Sequence, residues 1–252
     1  MKKKILALAA LMTVSVMLTA CTSSDDVESK LGDLNNDTTQ GEVKNDNNDN
    51  SKEEDNNKEE DNNKEEDNSK EEEAGEFKHG VITDTSYSSE FYGIEMSFDD
   101  SWEVKDDTYM AAQNGITDMS DSKVKTKLDS QAVLYEMMAG IDSGSNINMV
   151  IENLNVTNNG NPVTAEEYIS LSKDNLESSL SATYDNVNVE TGNITICGKS
   201  FSCINVELSA NGIDAIEVLV PVVKGNYVGI ITFTALNDDD LNTLVSSFSS
   251  IG

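Results

Sequence analysis

Residues 187–234 read VNVETGNITICGKSFSCINVELSANGIDAIEVLVPVVKGNYVGIITFT. Runs of β-branched and aromatic residues broken by short glycine-bearing turns predict four consecutive strands there. They fall near Val187–Ile196, Phe201–Leu208, Ala215–Val223 and Tyr227–Thr234, with Gly198-Lys199, Asn211-Gly212 and Gly225-Asn226 as turn signals. Loops this short join antiparallel neighbours. The first hairpin leaves a choice open. Keeping Ile194, Ile196, Ile204, Val206 and Leu208 on one face requires an odd loop length. A five-residue loop would set Cys197 opposite Cys203 as a candidate disulfide, whereas a three-residue loop would leave them offset, as two thiols packing like small apolar side chains.

Upstream of these strands, Thr164–Leu180 is the clearest helix. Thr164 is followed three residues later by Glu167, a capping box, and Tyr168, Ile169, Leu171, Leu176 and Leu180 come at helical spacing. Downstream, Asp238, Asp239 and Asp240 occupy the first turn of a second helix, where the dipole favours acids, with Leu241, Leu244, Val245 and Phe248 as its buried stripe. Further strands are expected over Phe91–Phe98, Tyr109–Ala112, Ala132–Met138 and Ile147–Leu154. A turn at Asp99-Asp100-Ser101 precedes Trp102, and a polar segment separates the second strand from the third. The expected fold is α+β, an antiparallel sheet of about six or seven strands with helices packed on it.

The N-terminal third has a different character. Lys2, Lys3 and Lys4 precede an apolar run from Ile5 to Leu18, about the length of a signal-peptide core and short for a membrane span. The run ends in Leu18-Thr19-Ala20-Cys21, which resembles the lipobox of bacterial lipoprotein signal peptides. That resemblance implies residues 1–20 as a leader, cleavage after Ala20, and a diacylglyceryl group on the Cys21 thiol. Two acyl chains are what stable anchoring requires.

Residues 21–76 carry the lipid site and an acidic linker. From Thr22 to Glu76 there are 21 acids, 6 lysines and three successive units beginning at Lys52, Lys58 and Lys64 that read KEEDNN, KEEDNN and KEEDNS. Such a stretch cannot form a core and is expected to be disordered. A charged single helix is the competing reading, given the i to i+4 pairs Glu54/Lys58 and Glu60/Lys64, but the Asp and Asn of each unit compete with helical backbone bonds.

Residues 77–252 form the folded domain. The run Tyr92-Gly93-Ile94-Glu95-Met96-Ser97-Phe98 with Trp102, the central helix, the four strands and the closing strand and helix from Ile230 to Ile251 resemble the PsbP-like family of α/β/α sandwiches. Small lipoproteins of low-GC Gram-positive bacteria commonly share this layout. Many relatives have a proline-containing turn where this chain has Asp99-Asp100-Ser101. The resemblance implies a binding, assembly or chaperone-like module.

Composition restricts the chemistry. The net charge is −30 and there is no arginine, so a nucleic-acid partner, which needs a basic surface, is excluded. The one histidine, His79, lies at the linker junction, a poor place for a catalytic base. One histidine and two hairpin cysteines make no zinc set, and Asp99/Asp100, Asp106/Asp107 and Asp238/Asp239 lack calcium-loop spacing. The loop Gly140-Ile141-Asp142-Ser143-Gly144 lacks the lysine and helix of a phosphate-binding loop. Trp102, Met137 and Met138 are expected in the core.

No cofactor and no catalytic set are expected. The function expected is non-enzymatic: a lipid-anchored binding or assembly module on the extracytoplasmic face of the cell membrane. Its partners would be the bilayer, through Cys21, and a protein or a cationic or neutral ligand. The alternative is a hydrolase whose carboxylates meet only in the fold.

Overall fold

A computed structural model describes residues 76–184, 186–210 and 212–252. The leader, Cys21 and nearly all of the acidic linker lie outside the described residues.

The described residues begin with three short strands, β1 (Val81–Thr83), β2 (Ser86–Ser89) and β3 (Ile94–Ser97), then β4 (Trp102–Val104) and the helices α1 (Asp107–Asn114) and α2 (Asp121–Gln131). The hairpin β5 (Val133–Ile141) and β6 (Asn146–Asn153) is followed by the single turn α3 (Leu154–Thr157) and by α4 (Ala165–Leu180). Four long strands come next: β7 (Asn186–Ile196), β8 (Lys199–Ala210), β9 (Ile213–Lys224) and β10 (Tyr227–Ala235). Helix α5 (Asp238–Ser246) and strand β11 (Phe248–Ser250) close the chain.

All strand pairings are antiparallel, in a seven-stranded sheet ordered β4-β5-β6-β10-β9-β8-β7 and a four-stranded sheet ordered β1-β2-β3-β11. The expected α+β fold is therefore present, with a second sheet that the sequence reading did not anticipate.

Each face of the large sheet has its own core. On one side Leu134, Met137, Met149, Ile151, Val220, Ile231 and Phe233 pack with Tyr87, Ile94 and Met96 of the small sheet and with Met110, Leu128 and Leu244 of α1, α2 and α5. On the other, Val150, Val189, Ile204, Val206, Leu208 and Leu219 pack with Tyr168, Ile169, Leu176 and Leu180 of α4. Helix α4 starts where its sequence says it should: Thr164 accepts from the Glu167 N–H at 3.2 Å, and the Glu167 carboxylate accepts from the Thr164 N–H at 3.0 Å.

Several expectations are corrected. Tyr109–Ala112 is helical, inside α1, because Asp106 caps the Tyr109 N–H at 2.8 Å and Met110, Ala111 and Asn114 form a buried helical stripe. The polar segment folds as α2 and buries only Val124 and Leu128. The strand expected over Phe91–Phe98 shrinks to Ile94–Ser97, since Gly93 turns the chain at a φ of 64°. Phe248 belongs to β11 and not to the last helix.

The candidate disulfide is also corrected. The β7–β8 turn has two residues, Cys197 and Gly198, both at positive φ (51° and 76°), and the register pairs Ile196 with Lys199 and Gly192 with Cys203. Cys197 therefore sits in the turn while Cys203 lies buried in the strand, and both thiols are free. An even loop also splits the apolar residues that the odd-loop reading kept together. Ile194, Ile196 and Cys203 face the small sheet, while Ile204, Val206 and Leu208 face α4.

Candidate functional site

The register that divides the apolar residues also places three glutamates in the interior: Glu136, Glu152 and Glu217, each 2 % exposed or less. Sequence reasoning named none of them. A signal was present, since Glu152 and Glu217 each interrupt an otherwise apolar strand, in Val150-Ile151-Glu152 and Ile216-Glu217-Val218.

Glu136 occupies an irregularity in the β5–β6 ladder, between Tyr135 and Met137, and faces the small sheet. Its Oε1 accepts from the Gly80 N–H and from the Tyr87 hydroxyl at 3.4 Å. Burial raises its carboxyl above the usual range, opposed by the Gly80 hydrogen bond and by the nearby His79. His79 itself lies 3.8 Å from the exposed Asp121 carboxylate, so the lone histidine is tied to the domain surface.

Glu152 and Glu217 lie on the opposite, α4-facing side. Glu152 accepts from the Tyr168 hydroxyl at 2.6 Å; burial raises both groups, and the hydrogen bond draws the carboxyl partly back. Glu217 has less support. Its Oε1 has the Thr234 hydroxyl at 3.4 Å, its Oε2 has no partner among the described residues, and burial pushes its carboxyl up to about 8.

Between the two acids sits Asn148, fully buried, with neither side-chain atom partnered among the described residues. Its cross-strand neighbour is Thr232. Along β10, Glu152 pairs with Val228 and Glu217 with Thr234, a stagger of six residues that spans roughly 20 Å of strand. Glycosidase carboxyl pairs stand about 5 to 9.5 Å apart. Glu152 and Glu217 are too distant to form such a pair, and Glu136 is on the other face.

At the Glu217 end, where α4 finishes, the surface opens into a concavity of about 800 Å³. Tyr184, Leu208, Ala215 and Leu236 line it, with the acids Glu207 and Asp214. Tyr184 follows α4, and burial together with the nearby Glu217 raises its hydroxyl to about 12.

The other residues singled out in the sequence are dispersed. Asp99 accepts from the Ser101 N–H at 2.9 Å in its turn, Asp106 caps α1, and Asp238 and Asp239 begin α5. Trp102 is partly buried on β4, with its ring 5.0 Å from that of Phe98. Met137 pairs with Met149 and Met138 with Asn148, so the two methionines face opposite sides of the sheet. The Cys197 thiol points at the Phe248 carbonyl, 3.3 Å away.

No family model matches this sequence, and no curated protein does. Several solved structures are similar, among them two at low identity. One is a protein of unknown function from Pseudomonas aeruginosa, with 16 % identity and a TM-score of 0.26, covering 39 % of this chain and 63 % of its own. The chain thus spans less than two thirds of that protein. The other is a cyanobacterial PsbP (CyanoP) from Synechocystis in solution, with 10 % identity and a TM-score of 0.38, covering 70 % of this chain and 98 % of its own.

Proposed function

We propose that this chain is an extracytoplasmic lipoprotein, anchored through Cys21, whose domain is a non-enzymatic PsbP-like binding or assembly module. The anchor reading rests on Leu18-Thr19-Ala20-Cys21 behind a basic and apolar leader. The observation that carries the binding reading is the set of polar groups on the α4-facing side of the large sheet. Asn148, Glu152 and Glu217 are buried and under-partnered, and burial keeps both carboxyls toward the neutral form. Groups of this kind can recognise a ligand by hydrogen bonding. The domain's 26 acids against 8 lysines favour a cationic or neutral partner over the anionic polymers of a cell wall.

The test is paired. Metabolic labelling with a fatty-acid probe should mark the chain in the membrane fraction, and the purified protein should leave wall glycans and peptides intact. Hydrolysis that disappears in Glu217→Gln or Glu136→Gln, with the fold retained, would replace the binding reading with an enzyme.

A further inference from the structure

We infer that the concavity beside the end of α4 binds a primary ammonium group carried on an apolar stem, with the Glu217 carboxylate as its counter-ion. This deepens the binding reading above and rests on it.

Three independent observations meet at this place. The first is shape: the concavity of about 800 Å³ is large enough for a small ligand or a protruding side chain, and Leu208, Ala215 and Leu236 give it apolar walls. The second is charge: no described lining residue is basic, while the carboxylates of Glu207 and Asp214, which alternate with Leu208 and Ala215, are directed to the other face of the sheet. The third is the buried acid behind it. Glu217 stands two residues past Ala215 on the same face of β9, fully buried, with Oε2 unpartnered among the described residues. Tyr184 lines the concavity and is also near enough to Glu217 to feel its charge.

The chemistry selects the ligand. A buried carboxyl without a strong donor stays protonated, because ionising it away from water is costly. An entering ammonium supplies the missing countercharge and the missing donor at Oε2. The carboxyl then gives its proton to solvent, and an ion pair replaces the neutral acid: one N–H···O bond forms and one proton leaves for each ligand bound. An alcohol brings no countercharge, and a carboxylate meets no cation among the described lining residues. The Tyr184 ring adds an aromatic surface that attracts a cation. Apolar walls beside a buried acid fit an alkylamine stem, such as a lysine side chain on a partner protein.

The probe is n-hexylamine, titrated calorimetrically into the full chain purified in detergent, in two buffers of different ionisation enthalpy. Saturable binding is expected in about the millimolar range. About one proton should be released per ligand near pH 6, and almost none near pH 9, where Glu217 is already ionised. Glu217→Gln should weaken hexylamine at least about tenfold. Leu236→Lys, at an exposed lining position, should block it by placing an ammonium at the mouth while Glu217 stays intact. Hexanol and hexanoate should not compete.

Absence of saturable binding, binding indifferent to Glu217→Gln, or binding without proton release near pH 6 overturns the inference. If Glu217→Gln still binds an envelope partner in a salt-sensitive way while hexylamine never binds, this inference fails and the broader binding reading stands. Hydrolytic turnover beside intact hexylamine binding fails the broader reading alone.

Discussion

Replacing Glu217 by glutamine keeps the shape of the side chain and removes its titration. In the unfolded chain this carboxyl has its ordinary value near 4.5, and in the fold burial pushes it to about 8. Between about pH 5 and pH 7 the unfolded state has therefore lost the proton that the folded state retains. The unfolded state binds fewer protons, so stability falls as pH rises, by about 1.4 kcal/mol per pH unit. Across that window the cost of Glu217 grows by about 2–3 kcal/mol. It vanishes below about pH 4.5, where both states are protonated, and stops growing above about pH 8, where both are ionised.

Glutamine carries none of this dependence. The stability of Glu217→Gln minus that of the parent should therefore increase by about 2–3 kcal/mol from pH 5 to pH 7, whatever the other acids contribute to both proteins. Urea unfolding at several pH values, with matched denaturant slopes, measures the difference directly. Parallel pH profiles for the two proteins would refute the argument, since they would mean that Glu217 is solvated in the fold.

Tyr168→Phe removes the hydroxyl that donates to Glu152 at 2.6 Å and should cost about 1–3 kcal/mol in chemical denaturation. Thr164→Ala breaks the capping box of α4 and should cost about 1 kcal/mol, with a drop in helical circular dichroism on warming. Asn148→Leu removes a buried amide that has no described partner and should be neutral or stabilising; a loss of more than about 2 kcal/mol would reveal a hydrogen bond not accounted for. Cys21→Ala should abolish fatty-acid labelling and normal processing, and continued labelling with unchanged migration would refute lipidation.

The sequence was most readable where local and tertiary signals agree. Strands β7 to β10 announce themselves through β-branched runs and glycine turns, and α4 through Thr164 and Glu167. It was least readable where elements are short or weakly apolar. Strands β1, β2 and β11 have only three or four residues each, too few to show a period, and exist because a neighbouring strand completes their bonds. Helix α2 buries two side chains, which leaves almost no periodic stripe. The segment Tyr109-Met110-Ala111-Ala112 is a short apolar run of the kind that fits strand and helix equally.

The candidate site was hidden for a different reason. Whether an acid in a strand faces solvent or core depends on register, and register turns on single residues in the loops. One residue more or less between Ile196 and Lys199 would exchange the faces on which Cys203 and Ile204 lie. The same logic governs Glu217, whose inward direction follows from its pairing with Thr234.

A hydrophobic side chain of similar volume at position 152 or 217 would be no less stable than a buried acid, and often more so. The domain nevertheless keeps polar groups at 148, 152 and 217 along one face of its largest sheet. Stability given up at three positions on one face, while the surrounding core is well packed, marks positions where something other than folding sets the residue. The two ends of that row are not equivalent. Glu152 has a close donor within the fold, in Tyr168 at 2.6 Å, though its Oε1 has no partner among the described residues. Glu217 has one long contact to Thr234 and an oxygen without a partner, next to Tyr184 and the concavity that it lines. The end with the weaker internal hydrogen bond is thus the one that adjoins open space, and it is there that a ligand can supply what the fold leaves out.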